Sequence, residues 1–187
     1  MVYNKICGLY GQGYLLTGRK DYLEAVVRAF EFVQDNHMQP HGVHSSYEFL
    51  SGIRAFKGSE TCNVANFMAA NLILLRATGE ARYADRIEKA FYNAGQRMVS
   101  HGYKTHVYHQ MPNRIPGVVY EHEDVKTHYI HEHEPICCCN NFTRALPNFL
   151  GNAIQYSRDG GMAVLLYGPL DVQAEIAALQ QRIANPR

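Results

Sequence analysis

Two short stretches of the 187-residue chain hold side chains whose types and spacing suit a metal: Glu60-Thr61-Cys62 and Cys137-Cys138-Cys139. Four ligands drawn from them would give zinc a closed, thiolate-rich tetrahedral site with one carboxylate. Glu60 and Cys62 stand two residues apart, so inside a regular helix they would point apart. They converge only where a helix begins. Ser59 reads as an N-cap that puts them there, at the positive end of a helix dipole, where thiols ionise more easily. The competing reading is that free Cys packs as a small hydrophobe. Glu48, in the run His44-Ser45-Ser46-Tyr47-Glu48-Phe49-Leu50, is a second candidate. A carboxyl group among aromatic and apolar neighbours suits a general acid; the bland alternative is a solvated loop residue. His131-Glu132-His133-Glu134 would set two His on one strand face, where a solvated edge is the commoner outcome. His37, His41 and His44, with Tyr108, His109, Gln110, Asn113 and Arg114, supply the hydroxyl-binding and aromatic surfaces a sugar site uses.

Helical hairpins position these residues. Ile6, Leu9, Tyr10, Gly13 and Tyr14 recur at helical spacing up to Thr17-Gly18. A second helix is expected from Asp21 to Asn36, burying Tyr22, Ala25, Val26, Ala29, Phe30 and Val33. Gly42 to Gly58 reads as loop. A third helix follows Ser59 and runs to about Ala77, and a fourth follows Thr78-Gly79 with Tyr83, Ile87, Ala90, Phe91 and Ala94 inward. The two hairpins repeat: from Thr17 and from Thr78, 61 residues later, Tyr lies at +5 and Ala-Phe at +12 and +13. Such units bury their faces against one another, as in a solenoid or a closed α/α toroid. Strand-like alternation follows in Tyr103 to Tyr108 and Val118 to Tyr129, around a turn-rich Met111 to Gly117. Asn140 to Ala153 reads as helix despite Pro147, Met162 to Tyr167 as strand, and Val172 to Ile183 as helix.

Composition narrows the function classes. Lys+Arg 18 against Asp+Glu 17 leaves +1, no electrostatic footprint for nucleic acid and no polybasic patch for a membrane. Five Cys, three of them adjacent, argue against a disulfide framework. The start shows no signal-peptide pattern and no apolar run reaches membrane-span length, so the expected location is cytoplasmic, with reduced thiols.

Glu48-x-Leu50-x-Gly52, Gly58-Ser59-Glu60-Thr61-Cys62, Tyr83-Ala84-Asp85 with Glu88-Lys89-Ala90-Phe91-Tyr92-Asn93, Tyr108 to Arg114, and Cys137-Cys138-Cys139-Asn140-Asn141-Phe142-Thr143-Arg144 together resemble glycoside hydrolase family 127, the β-L-arabinofuranosidase-like proteins. Leu165-Leu166-Tyr167-Gly168-Pro169 resembles that family's crossing into a β-sandwich, and the similarity runs from Met1 to about Asp171. The resemblance implies a mainly α fold, a partial (α/α)6 toroid with short β strands and the start of a β-sandwich region. Residues 1–156 would form the C-terminal part of the toroid domain and 157–187 the sandwich start with a divergent tail. It implies a retaining glycosidase releasing L-arabinofuranose or a related sugar, with Zn2+ held by Glu60, Cys62 and a Cys-Cys pair. The first Cys of the pair would be the nucleophile and Glu48 the acid/base, with His44, Tyr108, Gln110 and Asn113 on the carbohydrate. Anchored on Asn141 and Arg144, the pair is Cys137 and Cys138; a register shifted by one makes it Cys138 and Cys139. Family members are several times longer, so a fragment is expected, with either self-association or a missing N-terminal half. The alternative is a non-catalytic helical-repeat binding module, or an inactive remnant with a structural zinc site.

Overall fold

The computed structural model describes residues 2–46, 49–54, 57–112, 129–130, 136–157 and 161–171. Helices α1 (Val2–Thr17), α2 (Lys20–Asn36), α3 (Thr61–Thr78) and α4 (Ala81–Tyr92) form two antiparallel hairpins, and α5 (Ile136–Leu150) packs beyond them. α3 lies at the centre, against α1 on one side, α5 on the other and α4 behind. Twelve of its residues are therefore buried, and its pattern is apolar nearly all round. α2 and α4 bury one stripe each: Val26, Phe30 and Val33 in α2, and Tyr83, Ala84, Ile87, Ala90 and Phe91 in α4.

The repeat read from the sequence is a repeat of structure. Gly18 and Gly79 end α1 and α3 in the left-handed region, at φ 71° and 72°. Each donates its N–H four residues back, to Tyr14 and to Leu75, at 2.8 Å. The preceding Thr17 and Thr78 hydroxyls donate to the carbonyls of Gly13 and Leu74 and accept from the N–H of Arg19 and Glu80. Tyr22 and Tyr83 then close the first turn of α2 and α4 through the carbonyls of Arg19 and Glu80, at 3.2 Å.

α1 turns a different face inward from the one its apolar stripe suggests. Ile6, Leu9 and Tyr10 are 48%, 66% and 46% exposed, while Asn4, Cys7, Gly8 and Gly11 are buried. Close approach decides the face. A Cβ on Gly11 would stand 2.7 Å from Ile73 Cγ2, so only glycine lets α1 settle this near α3. Cys7 is a core residue.

Among the described residues, the segment between the hairpins has no helix, but it is closely tied. Asn4, His44 and Asn63 knot α1, this segment and α3 together. Asn4 Nδ2 donates to Asn63 Oδ1 at 2.9 Å, and Asn63 Nδ2 to the His44 carbonyl at 2.9 Å. His44 Nε2 meets Asn4 Oδ1 at 3.2 Å, and its ring packs edge-on against Tyr3 and Phe67. At Gly42, φ is +89° and a Cβ would meet Lys89 Cγ at 2.7 Å and the Lys89–Ala90 backbone at 3.0–3.1 Å, so the segment rests directly on α4.

Short antiparallel pairs complete the described chain. β1 (Ser59–Glu60) pairs with β3 (His109–Gln110), β2 (His106–Val107) with β4 (Tyr129–Ile130), and β5 (Ile154–Tyr156) with β6 (Met162–Val164). Several expectations change here. Ser59 is strand, not an N-cap: its hydroxyl donates to the His44 carbonyl at 2.8 Å, and Glu60 occupies the capping position. The strand expected over Tyr103 to Tyr108 is confined to His106–Val107, because Tyr103 takes φ 59° in a turn. α5 begins at Ile136 instead of Asn140, which brings the cysteine run into its first turns, and ends at Leu150, where the β5–β6 hairpin takes over. Pro147 sits inside α5 on an exposed side, with the carbonyl it deprives belonging to exposed Thr143. The expected strand at Met162 to Tyr167 is shorter, Met162–Val164. The helix expected over Val172 to Ile183 and most of the strand expected from Val118 lie outside the described residues. Among those described, no helix is long and apolar enough to cross a membrane.

Replacing Gly42 by Ala should cost about 3 kcal/mol, from left-handed strain plus a clash with backbone. Gly79→Ala, with nothing within 4 Å of the new Cβ, should cost about 1 kcal/mol. Urea unfolding of the two variants measures the difference. Burial holds the His41 and His44 imidazoles down to about 4, with the Arg97 and Lys89 charges adding at His41. Unfolded imidazole titrates near ~6.5, so between there and pH 4 the unfolded chain binds protons first and stability falls as pH falls. Each ring is worth up to about 3 kcal/mol over that window. Urea unfolding at stepped pH should show it, and His44→Gln should flatten the slope by about one proton.

Candidate metal centre

Glu60 reaches the site from a strand and three cysteines reach it from helices. β1 is gripped on both edges. Ser59 and Glu60 pair with Gln110 and His109, and on the other side Glu60 N–H donates to the Ser46 carbonyl at 3.2 Å while Ser46 N–H donates to that of Gly58 at 2.8 Å. The next residue, Thr61, donates its N–H to the Tyr108 carbonyl at 2.9 Å and its hydroxyl to that of Val107 at 2.6 Å. The chain therefore passes from strand to helix between Glu60 and Cys62, and the i, i+2 pair can converge. Cys62 is the second residue of α3 and Cys137 the second residue of α5. Two positive helix ends thus aim at the same few ångströms, which favours thiolates.

The ligand atoms of Glu60, Cys62, Cys137 and Cys138 all lie within 4.8 Å of one another. Cys62 Sγ is 3.3 Å from Cys138 Sγ, and Cys137 Sγ is 4.0 Å from Cys138 Sγ. Glu60 Oε1 stands 3.7 Å from Cys138 Sγ and 3.9 Å from Cys137 Sγ. Tetrahedral zinc, with bonds of about 2.3 Å to sulfur and about 2.1 Å to oxygen, would hold sulfurs about 3.8 Å apart and sulfur and oxygen about 3.6 Å apart. The four donors fit a tetrahedral cation in number, chemistry and spacing. Glu60, Cys62 and Cys138 are wholly buried, and Cys137 is the one open to solvent.

Without a cation, the electrostatics divide the three thiols. The Cys138 hydrogen bond holds the Cys62 thiol below the usual range. Cys138 is driven far up, first by that same bond and then by burial. Burial and neighbouring Cys62 push Cys137 up to about 11. Left to themselves, the three sulfurs favour one thiolate beside a buried carboxyl group; a dication reverses this and deprotonates them.

A second shell surrounds the cluster. Asn66 Nδ2 donates to the Cys62 carbonyl and Asn141 Nδ2 to the Cys137 carbonyl, each four residues back and each at 2.7 Å. Asn141 Nδ2 also meets Cys62 Sγ at 3.2 Å. Arg144 donates to Asn141 Oδ1 from Nε at 2.8 Å and also from Nη2, and to Asn66 Oδ1 at 2.6 Å. The sequence reading used Asn141 and Arg144 only to set register and gave Asn66 no part. The available signal was the pattern Cys-x-x-x-Asn, present from Cys62 and again from Cys137.

The remaining expected site residues fare differently. Cys139 lies outside the cluster, which draws on Cys137 and Cys138. His44 is fully buried in the Asn4–Asn63 knot, its Nδ1 against the Ser45 carbonyl. Gln110 is buried too, its amide donating to the Ala94 carbonyl at 3.0 Å. Tyr108 is half-buried between β2 and β3, its ring 4.1 Å from that of His109. Glu48, Asn113, Arg114 and His131 to Glu134 lie outside the described residues. Ser46 and Leu50, which flank Glu48, are bridged to each other.

Comparison with known proteins bears on this arrangement. The family model of the β-L-arabinofuranosidase GH127 catalytic domain matches residues 6–151. Among solved structures, a protein described as a glycoside hydrolase superposes with a TM-score of 0.78 at 21% identity, over 88% of this chain and 31% of its own. A GH127 β-L-arabinofuranosidase from Geobacillus stearothermophilus T6 superposes with a TM-score of 0.74 at 20% identity, over 88% of this chain and 27% of its own. The chain thus spans about a third or less of the length of these relatives, and the likeness establishes a shared fold, a part of an α/α toroid. No curated protein sequence matches the chain.

Proposed function

The chain belongs to the GH127 β-L-arabinofuranosidase catalytic-domain family, and we propose that it is the part of a retaining glycosidase that carries the reactive centre, acting on L-arabinofuranosides or related sugars. The observation that carries this reading is the convergence of Glu60, Cys62, Cys137 and Cys138, with one sulfur open to solvent and three donors enclosed. Those four residues would hold Zn2+, which when bound keeps the sulfurs deprotonated at neutral pH.

The chain's own groups then divide the work. Cys137, the accessible sulfur, is the nucleophile. Its attack on the anomeric carbon forms a C–S bond as the glycosidic C–O bond breaks. Glu48 gives its proton to the leaving oxygen in that step. In the second step Glu48 takes a proton from water, the water oxygen bonds to the anomeric carbon, and the C–S bond breaks to return the thiolate. Two displacements at one carbon retain its configuration, with sulfur standing where two-carboxylate enzymes use oxygen. Sequence proximity supports Glu48: it follows by two residues Ser46, whose carbonyl accepts from the Glu60 N–H at 3.2 Å. Tyr108 and Asn113 would meet the sugar, and His44 and Gln110 would brace the wall behind it. Residues 1–156 would be toroid and 157–187 the approach to a sandwich, with the β5–β6 hairpin spanning the join. We place the activity in the cytoplasm, where thiols stay reduced.

The purified chain should contain about one zinc. Cys62→Ser and Cys138→Ser should lose it, as read by elemental analysis of freshly reduced protein. With a nitrophenyl L-arabinofuranoside, Cys137→Ala and Glu48→Gln should each lower kcat/KM by at least about 1,000-fold. Mass spectrometry of a quenched turnover should find the sugar on the peptide bearing Cys137. Wild-type protein without zinc, or a sugar trapped on a carboxylate peptide, would overturn the mechanism.

A further inference from the structure

Two cysteine sulfurs sit at equivalent helix positions, yet one must stay a ligand while the other reacts. We infer that Asn141, locked by Arg144, is the positioning residue that makes this distinction: its amide N–H fixes and tempers the sulfur of Cys62, leaving Cys137 as the reactive one. The inference rests on the metal-centre reading above and adds the device that tells the sulfurs apart.

The orientation of the amide follows from chemistry. A guanidinium has donors only, so the end of Asn141 that Arg144 grips must be the oxygen. The nitrogen end is thereby turned to the cluster, where its two hydrogens serve two acceptors, the Cys137 carbonyl at 2.7 Å and Cys62 Sγ at 3.2 Å. Arg144 is held in turn by Asn66 Oδ1 at 2.6 Å, and Asn66 donates to the Cys62 carbonyl at 2.7 Å. The ring closes on the residue where it began: sulfur, amide, guanidinium, amide, carbonyl. Cys62 is thus fixed at both ends, and it cannot turn its sulfur away without breaking a chain of charge-assisted bonds. Donation from N–H draws electron density from a thiolate, which weakens it as a nucleophile while it remains a ligand. Among the described residues no N–H donor meets Cys137 Sγ, whose neighbours are Glu60 Oε1 and the sulfurs of Cys138 and Cys62.

The test uses the zinc-loaded chain, with Asn141→Ala and Arg144→Lys. Chelator competition should show zinc binding weakened ~10- to 100-fold in Asn141→Ala and by less in Arg144→Lys, which keeps one of the two amide contacts. In the cobalt-substituted protein, the thiolate-to-metal charge-transfer band should move to longer wavelength in both variants, because a sulfur without its N–H donor gives up electrons more readily. Among the cluster cysteines, limited iodoacetamide treatment should label Cys137 and not Cys62 in the parent, and Cys62 as well in Asn141→Ala. Zinc affinity within twofold of the parent, with an unmoved band and Cys62 still unlabelled, overturns the inference. If circular dichroism shows Asn141→Ala unfolded, the same readings on Arg144→Lys decide it. A parent chain that binds neither metal overturns both this inference and the metal-centre reading. A parent that binds metal but cleaves no arabinofuranoside removes the glycosidase reading alone, and the affinity and band still decide the positioning role.

Discussion

A carboxylate and three sulfurs within 4.8 Å of one another, three of the four groups buried, form an arrangement no apolar core would tolerate on its own. The rest of the described chain is built around that concentration of charge. α3 and α5 must begin at the same point, which requires α3 to be sheathed by α1, α4 and α5. β1 must deliver Glu60 immediately before α3 starts, which requires the Ser46 and β3 contacts on its two edges. The aromatic packing serves the same end. The Phe91 and Phe149 rings stack at 3.8 Å and 10° between α4 and α5, and His106 lies over Phe142 at 5.8 Å, so the helix carrying Cys137 is pinned to both the second hairpin and β2.

Where each hydrogen bond goes separates ligand from scaffold. His44 bonds to Asn4 and to the Ser45 carbonyl, and the Gln110 amide donates to the Ala94 carbonyl, so both are tied to the scaffold. Asn66 and Asn141 spend theirs on the cysteines, and Arg144 spends its own on the two asparagines. The cluster depends on this second tier because helix positions alone do not aim a sulfur; side-chain rotation must also be stopped.

Much of this was legible in the sequence, for reasons that differ from residue to residue. The hairpins could be read because the α2 and α4 stripes are clean and because Thr-Gly followed by Tyr at a fixed offset marks the same turn twice. Glu60, Cys62, Cys137 and Cys138 could be read because clustered thiols have few uses in a reduced chain. The inward face of α1 could not, because both its faces are apolar or small and the choice falls to the glycines that admit Ile73. The start of α5 was displaced because Cys137 to Cys139 were weighed for chemistry, while their place in a helix depended on partners in α3. The role of Asn66 and Asn141 was hidden because a mid-helix Asn bonding back to its own helix is ordinary. Only the meeting of two helices turns the same amide toward a foreign sulfur.

The hairpin repeat also divides the molecule into a stiff end and a plastic end. The connections Thr17-Gly18 and Thr78-Gly79 are as short as helix hairpins allow, and they lie at the C-terminal ends of α1 and α3. The helix ends joined by the long connections, 37–58 and 93–135, lie at the opposite end, where the cysteines and Glu60 are. Changes in those two connections that spare Gly42, His44 and His106, where they are tied to the helices, alter the surroundings of the cysteine cluster and leave the helix packing in place. Between those anchored points the fold leaves room for the rim of the cluster to be rewritten without unseating a helix.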